Sequence, residues 1–103
     1  MNIFVKIIRN GHMAPGKLAD AELHFTGGEL DGLRLIGFAI WARRDGTGQS
    51  VTFPARQFTA NGQRRSFTLL RAIDDSAAQD RLREFVLQAY RADAQDLESK
   101  QSA

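Results

Sequence analysis

The chain has 103 residues, no cysteine and a formal net charge of +2, with 43% hydrophobic and 25% charged residues. This length fits one domain, and the composition is that of a folded rather than a disordered chain. The absence of cysteine excludes disulfides, thiolate metal sites and a cysteine nucleophile. Residues 1–6 lack the layout of a signal peptide, and no apolar stretch is long enough to cross a bilayer. We therefore expect a soluble, cytoplasmic protein that does not contact a membrane.

The first half of the chain shows three strand patterns. Ile3–Ile8 is a β-branched run, and Lys17–Phe25 alternates between apolar and polar residues, which predicts a half-buried second strand. Leu33–Ala42 is apolar on both faces, a pattern typical of a central strand that is covered on both sides.

The second half predicts two more strands and a helix. Ser50–Phe53 is a short fourth strand and Arg65–Ile73 a fifth, and the span between them, including Asn61-Gly62, is expected to be a hairpin loop. After Asp74 the apolar residues recur at helical spacing, up to about residues 91–93. The sequence thus predicts an α+β fold: an antiparallel sheet of four to five strands followed by one C-terminal α-helix. We expect a single domain at residues 1–92 and a polar, disordered tail at residues 93–103.

The sequence contains no strong motif for catalysis, metal binding or cofactor binding. The segment GHMAPGKL (Gly11–Leu18) is close to a phosphate-binding loop, but Leu18 replaces the hydroxyl that would hold magnesium and a strand follows instead of a helix. His12 and His24 are the only histidines, which is too few for a tetrahedral zinc site. No spacing suggests a catalytic triad or an acid–base pair. We expect no enzyme activity, metal, cofactor or small-molecule substrate.

Arginine is concentrated in the middle of the chain. Between Gly32 and Ile73 there are seven arginines and a single acid, Asp45, whereas acids prevail from Asp74 onward. Five of these arginines are predicted to converge at one edge of the sheet: Arg43, Arg44, Arg56, Arg64 and Arg65. Such a set is either a solubilising edge that prevents sheet-to-sheet aggregation or a surface for an anionic partner.

The order of several segments resembles the stage V sporulation protein G family. These segments are KLADAELHF, ELDGLRLIG, VTFPARQ followed by NGQRRSF, and REFVLQAY, and the resemblance extends from Ile3 to Tyr90. It implies a small α+β fold, homodimerisation, and DNA and RNA binding as a bacterial regulator. The family's basic loop falls on residues 55–57, where Arg56 matches the first basic position and Gln57 stands where a second basic residue is usual. Arg65 matches a basic position after the loop glycine, and Arg64 adds another.

We therefore predict a homodimeric, non-enzymatic regulator that binds DNA or RNA. The five arginines would contact phosphates, and Gln57 and Asn61 would face base edges. Because Phe58 is the one aromatic residue of the predicted loop, we expect phosphate contacts to dominate over base stacking. The alternative is a protein-interaction module that uses an exposed sheet edge or the long hairpin.

The dimer prediction depends on the third strand. One helix covers one face of a sheet, so a strand that is apolar on both faces needs a second cover. Ile36, Phe38 and Ile40 are predicted to share the helix-free face and to form the dimer interface. We expect a two-fold dimer that buries this face or extends the sheet edge to edge.

Overall fold

A computed structural model describes residues 1–9 and 14–101, with only the backbone of residues 100 and 101. The elements are β1 (Asn2–Ile8), β2 (Lys17–Thr26), a short 3-10 helix (Gly28–Leu30), β3 (Arg34–Ala42), β4 (Gln49–Thr52), β5 (Ala55–Ala60), β6 (Gln63–Thr68) and α1 (Ala77–Gln101). Strands β1 to β4 form an antiparallel sheet in that order, while β5 and β6 form a separate two-stranded sheet. The α+β fold with one C-terminal helix is confirmed. Within the described residues, no helix combines the length and apolarity needed to span a bilayer.

The core lies between α1 and one face of the four-stranded sheet. Strand β2 alternates as its sequence predicts, because every second side chain from Ala19 to Leu23 is buried. The helix contributes Val86, which is fully buried. The buried cluster consists of Val5, Ala19, Ala21, Leu23, Phe38, Ile40, Val51 and Val86.

Strand β3 is central, but it contains a β-bulge that its sequence pattern does not reveal. The pairing shifts between Ala21 and Leu23 of β2, opposite Phe38 and Leu35, so β3 holds one extra residue there. An extra residue reverses the alternation of side chains along a strand. Leu35 and Phe38 consequently both pack on the helix side of the sheet, whereas Ile36 between them is 59% exposed.

The bulge overturns the predicted dimer interface. Phe38 and Ile40 are 1% and 0% exposed in the single chain, where they pack beneath α1. They are therefore unavailable to a partner subunit, and of the three predicted interface residues Ile36 alone is exposed. On the opposite face of the sheet, Glu22 contacts both His24 and Arg34, and these polar side chains do not need the cover that an apolar face requires.

Two other boundaries differ from the prediction. The predicted loop contains strand β5, and the predicted fifth strand, Arg65–Ile73, ends already at Thr68. Helix α1 does not end near residues 91–93 but continues through Gln101, across most of the segment predicted to be disordered. That segment has no glycine or proline and is rich in good helix formers, so it extends a helix that packing has already established.

Candidate nucleic-acid interface

Strands β5 and β6 form a hairpin, residues 55–68, whose tip is the turn at Asn61-Gly62. Both turn residues have positive φ, 51° at Asn61 and 75° at Gly62. This is the geometry of a type I′ turn, which Asn-Gly favours because neither residue pays much strain at positive φ. The turn predicted from the sequence is confirmed, and it pairs Ala60 directly with Gln63.

The register of the hairpin brings two aromatic and two cationic side chains onto one face. Arg56 lies opposite Phe67 and Phe58 opposite Arg65, and residues that are paired or two apart on a strand share a face. We call these four residues the Arg/Phe face. Phe58 and Phe67 are 41% and 48% exposed. The expectation that Phe58 lacks an aromatic partner is therefore wrong, because Phe67 lies diagonally across the hairpin.

The other face of the hairpin is polar. It carries Gln57 opposite Ser66 and Thr59 opposite Arg64. The Gln57 side-chain Nε2 donates a long hydrogen bond, 3.4 Å, to Ser66 Oγ. Arg64 thus lies on the face opposite to Arg56 and Arg65, so both sides of the hairpin carry positive charge.

Arg71 extends the Arg/Phe face beyond the end of β6. Its guanidinium carbon lies 4.9 Å from the centre of the Phe67 ring, within cation–π range. The chain is held at this point by the backbone of Leu69, whose N–H donates to Pro54 O at 2.9 Å and closes the base of the hairpin. Neither Phe67 nor Arg71 was predicted as a site residue, although the two-residue turn by itself implies the pairing of Arg56 with Phe67.

The hairpin carries uncompensated positive charge. Residues 55–68 contain no aspartate or glutamate. None of the ion pairs among the described side chains involves Arg56, Arg64 or Arg65. All three arginines are exposed, and clustered cations of this kind attract anionic ligands.

Arg43 and Arg44 belong to a different surface, the turn between β3 and β4. Arg43 Nε donates to the backbone oxygen of Gln49 at 3.3 Å. The neighbouring carboxylate of Asp45 accepts hydrogen bonds from the hydroxyl and the N–H of Thr47, at 2.6 and 3.0 Å. These bonds and, to a smaller extent, the charge of Arg43 lower the pKa of Asp45, so the turn keeps a negative charge beside its two arginines.

The predicted convergence of all five arginines is wrong. Strand β4 begins at Gln49, next to the turn that carries Arg43 and Arg44, and ends just before Pro54, at the base of the hairpin. At the rise of an extended strand, these two points are about 17 Å apart along the chain. Of the five predicted arginines, Arg56, Arg64 and Arg65 share the hairpin, and the other two lie at the opposite end of β4.

The histidines and acids offer no competing site among the described residues. His24 Nε2 lies 3.0 Å from Glu22 Oε1, and the same oxygen accepts a hydrogen bond from Arg34 Nη1 at 3.4 Å. His12 and most of the phosphate-loop-like segment lie outside the described residues. Residues 1–9 and 14–101 contain no group of three or more side chains that could hold a metal ion.

A cleft of about 440 Å³ lies where the hairpin meets the beginning of α1. Phe67 and Arg71 line it from the hairpin side, and Ser76 and Gln79 line it from the side of the helix. Gln79 Nε2 is already engaged with the backbone oxygen of Leu70 at 3.4 Å. The cleft therefore adjoins one end of the Arg/Phe face and enlarges the concave surface around Phe67.

Comparisons of the chain with family models, curated proteins and solved structures find no match. Its function is therefore inferred from its own side chains.

Proposed function

We propose that this protein is a non-enzymatic nucleic-acid-binding regulator that contacts DNA or RNA through the hairpin at residues 55–68. The observation that carries the proposal is the set of three exposed arginines, Arg56, Arg64 and Arg65, on a hairpin that contains no acid and offers them no ion pair. Guanidinium groups bind phosphate oxygens in a bidentate manner, and phosphate neutralisation supplies most non-specific affinity for nucleic acid.

The shape of the hairpin fits this role. A two-stranded ribbon is narrow enough to approach bases and backbone at close range, as β-ribbon proteins do in the grooves of DNA. Cations on both faces, Arg64 on one and Arg56 with Arg65 on the other, allow contacts to phosphates on either side of the ribbon. Gln57 can present its amide to base edges, since its one hydrogen bond, to Ser66, is long.

The same proposal includes three further points: the chain belongs to the stage V sporulation protein G family, it is cytoplasmic, and it forms a homodimer. The resemblance from Ile3 to Tyr90 supports the family. For the dimer, β1 and β4 are the two edges of the four-stranded sheet, and Ile36 of β3 is exposed. A two-fold dimer would present two hairpins to one nucleic acid and raise the effective concentration of the second hairpin.

A protein-interaction module is the second candidate. It is favoured by the unpaired edges of β1 and β4 and by the exposed apolar side chains of Leu33 and Ile36, which are 56% and 59% exposed. Such a module would be indifferent to nucleic acid at low salt, which separates it from the first candidate.

The first prediction tests the arginines of the hairpin. Replacing Arg56, Arg64 and Arg65 by alanine should weaken binding to a labelled oligonucleotide almost uniformly across sequences, because phosphates carry no sequence information. The slope of log affinity against log salt should fall by about 0.7–0.9 for each lost phosphate contact. Fluorescence anisotropy across a salt series measures both quantities.

The matched control is a second triple variant, Arg34→Ala, Arg81→Ala and Arg91→Ala, which removes three exposed arginines outside the hairpin. Both variants change the net charge from +2 to −1, since three positive charges are lost. Only the hairpin variant should change the salt slope, and both should keep a melting temperature close to that of the wild type. Equal slopes for the wild type and the hairpin variant would overturn the proposal.

A further inference from the structure

The two aromatic rings of the hairpin have no role in the core. Phe58 and Phe67 lie on a two-stranded sheet that is separate from the main sheet, and neither belongs to the buried cluster or the apolar residues packed against it. Both rings are large and nearly half exposed. Two such rings on the same face of an otherwise polar hairpin form a surface that a ligand with flat apolar groups can use.

The distance between the two rings favours single-stranded over double-stranded nucleic acid. Phe58 and Phe67 are diagonal neighbours across the two strands, which places the two residues about 7–8 Å apart, with their Cβ atoms somewhat closer. This distance is about twice the 3.4 Å rise between stacked bases of a strand. Bases that are splayed apart can therefore each meet one ring, whereas a duplex stacks its base faces inside and shows only base edges in its grooves.

Cations alternate with the rings. Arg65 lies across from Phe58, Arg56 lies across from Phe67, and Arg71 covers part of the Phe67 ring at 4.9 Å. No aspartate or glutamate occurs between Gly46 and Ile73, so no carboxylate of this segment repels a polyanion. Alternating flat apolar groups and cations match the alternating bases and phosphates of a single strand.

We propose that the Arg/Phe face, together with Arg71, binds single-stranded DNA or RNA, with unpaired bases stacked on Phe58 and Phe67 and phosphates held by Arg56, Arg65 and Arg71. The inference rests on the nucleic-acid binding proposed above. It adds that the ligand is single-stranded and that the two phenylalanine rings distinguish it from a duplex. Stacking tolerates any base, so the preference is for single strands rather than for a sequence.

The experiment compares two double variants of the full chain. Phe58→Leu with Phe67→Leu keeps the apolar character but removes the flat rings, whereas Phe58→Tyr with Phe67→Tyr keeps the rings. Fluorescence anisotropy measures their binding to oligothymidine and oligouridine of about 12 nucleotides and to a duplex of the same length. Phe4→Leu, which changes a 61%-exposed phenylalanine on β1, serves as the matched control.

We expect the wild type to bind the single strands at least about tenfold more tightly than the duplex. The leucine variant should lose about tenfold or more of its single-strand affinity but keep its duplex affinity and its salt slope. The tyrosine variant and Phe4→Leu should bind like the wild type. In NMR spectra, the ring protons of Phe58 and Phe67 should shift upfield when oligothymidine is added, because a stacked base lies above them. A difference between oligothymidine and oligouridine shows which of these two strands the Arg/Phe face prefers.

Equal binding of single strands and duplex, or a leucine variant that binds like the wild type, would overturn the stacking inference. In that case the arginine triple variant would still show whether the hairpin binds phosphates, so the proposed function is tested separately. No binding of any of the three nucleic acids at low salt would overturn the proposed function and the inference together.

Discussion

Gly37 lies at the point of β3 where the alternation of side chains reverses. It lies in the bulge with φ of 109°, a conformation that L side chains rarely adopt. A Cβ atom at this position would come within 3.0 Å of Pro54 Cβ and 3.2 Å of Pro54 Cα. Glycine accommodates this φ and this close approach without strain, and it lies in the bulge that places Phe38 beneath the helix while Ile36 stays exposed.

Replacing Gly37 by alanine should therefore lower the free energy of unfolding by about 1–3 kcal/mol, because strained φ and the Pro54 contact act together. Gly46→Ala is the control: its φ is also positive, 75°, but no atom lies within 4 Å of the added Cβ. It should cost less, about 1 kcal/mol of backbone strain. Urea unfolding of both variants measures the difference, and a Gly37→Ala protein as stable as Gly46→Ala would show that the Pro54 contact is unimportant.

Among the elements, α1 is anchored near its middle by the end of β1. Arg9 Nε donates to Asp93 Oδ2 at 2.7 Å, and its guanidinium carbon lies 4.8 Å from the centre of the Tyr90 ring. Burial alone would lower the pKa of Arg9, but the contacts with Asp93 and Tyr90 outweigh it and raise the pKa, so the cation persists at any ordinary pH. This anchor lies at the residues where the sequence pattern predicted the helix to end.

Asp93→Asn should lower the free energy of unfolding by about 1 kcal/mol, because it leaves the partly buried cation of Arg9 without its carboxylate. Glu84→Gln is the matched control, since Glu84 pairs with Arg91 at 3.3 Å between side chains that are both more than half exposed. The control should change stability by less than about 0.5 kcal/mol. Chemical denaturation at neutral pH distinguishes the two, and equal effects would mean that the Arg9 pair behaves as an ordinary surface pair.

Elements that are marked by a local pattern, such as side-chain alternation or a turn dipeptide, could be predicted from the sequence. Elements whose position depends on pairing with a distant strand could not. The alternation of β2 and the Asn-Gly turn reflect local rules, and both lie where they were predicted. Strand β5 was missed because all its residues but Ala60 are exposed, so no apolar period marks it. The bulge of β3 was missed because it depends on pairing with β2, which no single-strand pattern shows.

The same distinction applies to the site. The basic character of the hairpin could be read from the sequence. The Arg/Phe face also follows from the two-residue turn once the register is counted outward from Asn61-Gly62, but only if β5 is recognised as a strand. Strand β4 was predicted within one residue at each end, at Ser50–Phe53 against Gln49–Thr52. The sequence pattern does not show that β5 and β6 pair in a separate sheet, which leaves Arg43 and Arg44 apart from the hairpin.

The whole molecule consists of a helix-covered sheet and a hairpin that extends from it. Its extents are 55 × 39 × 25 Å and its radius of gyration is 15.4 Å, larger than the about 13 Å expected for a compact chain of 100 residues. In the part of the chain that the structure describes, the strands of the hairpin pair only with each other, and their side chains contribute nothing to the buried cluster. Stability should therefore be unevenly distributed, with the main sheet far more stable than the hairpin.

Hydrogen exchange should show this difference. Backbone amides of β2 and β3 should exchange only through global unfolding, whereas those of β5 and β6 should exchange much faster through local opening. Added oligothymidine should slow exchange in the hairpin without changing the main sheet. Amides of β5 and β6 that are as slow as those of β2 in the free protein would show instead that the hairpin is part of one cooperative unit.

The independence of the hairpin from the core has an evolutionary consequence. Most side chains between Ala55 and Thr68 are exposed and do not pack in the core, unlike those of Phe38 and Val86. Mutations of these exposed residues can therefore accumulate without loss of the fold. The Asn-Gly turn and the closure at Pro54 are backbone features that remain under constraint. Variants of this chain can thus differ in ligand while they keep the same sheet and helix.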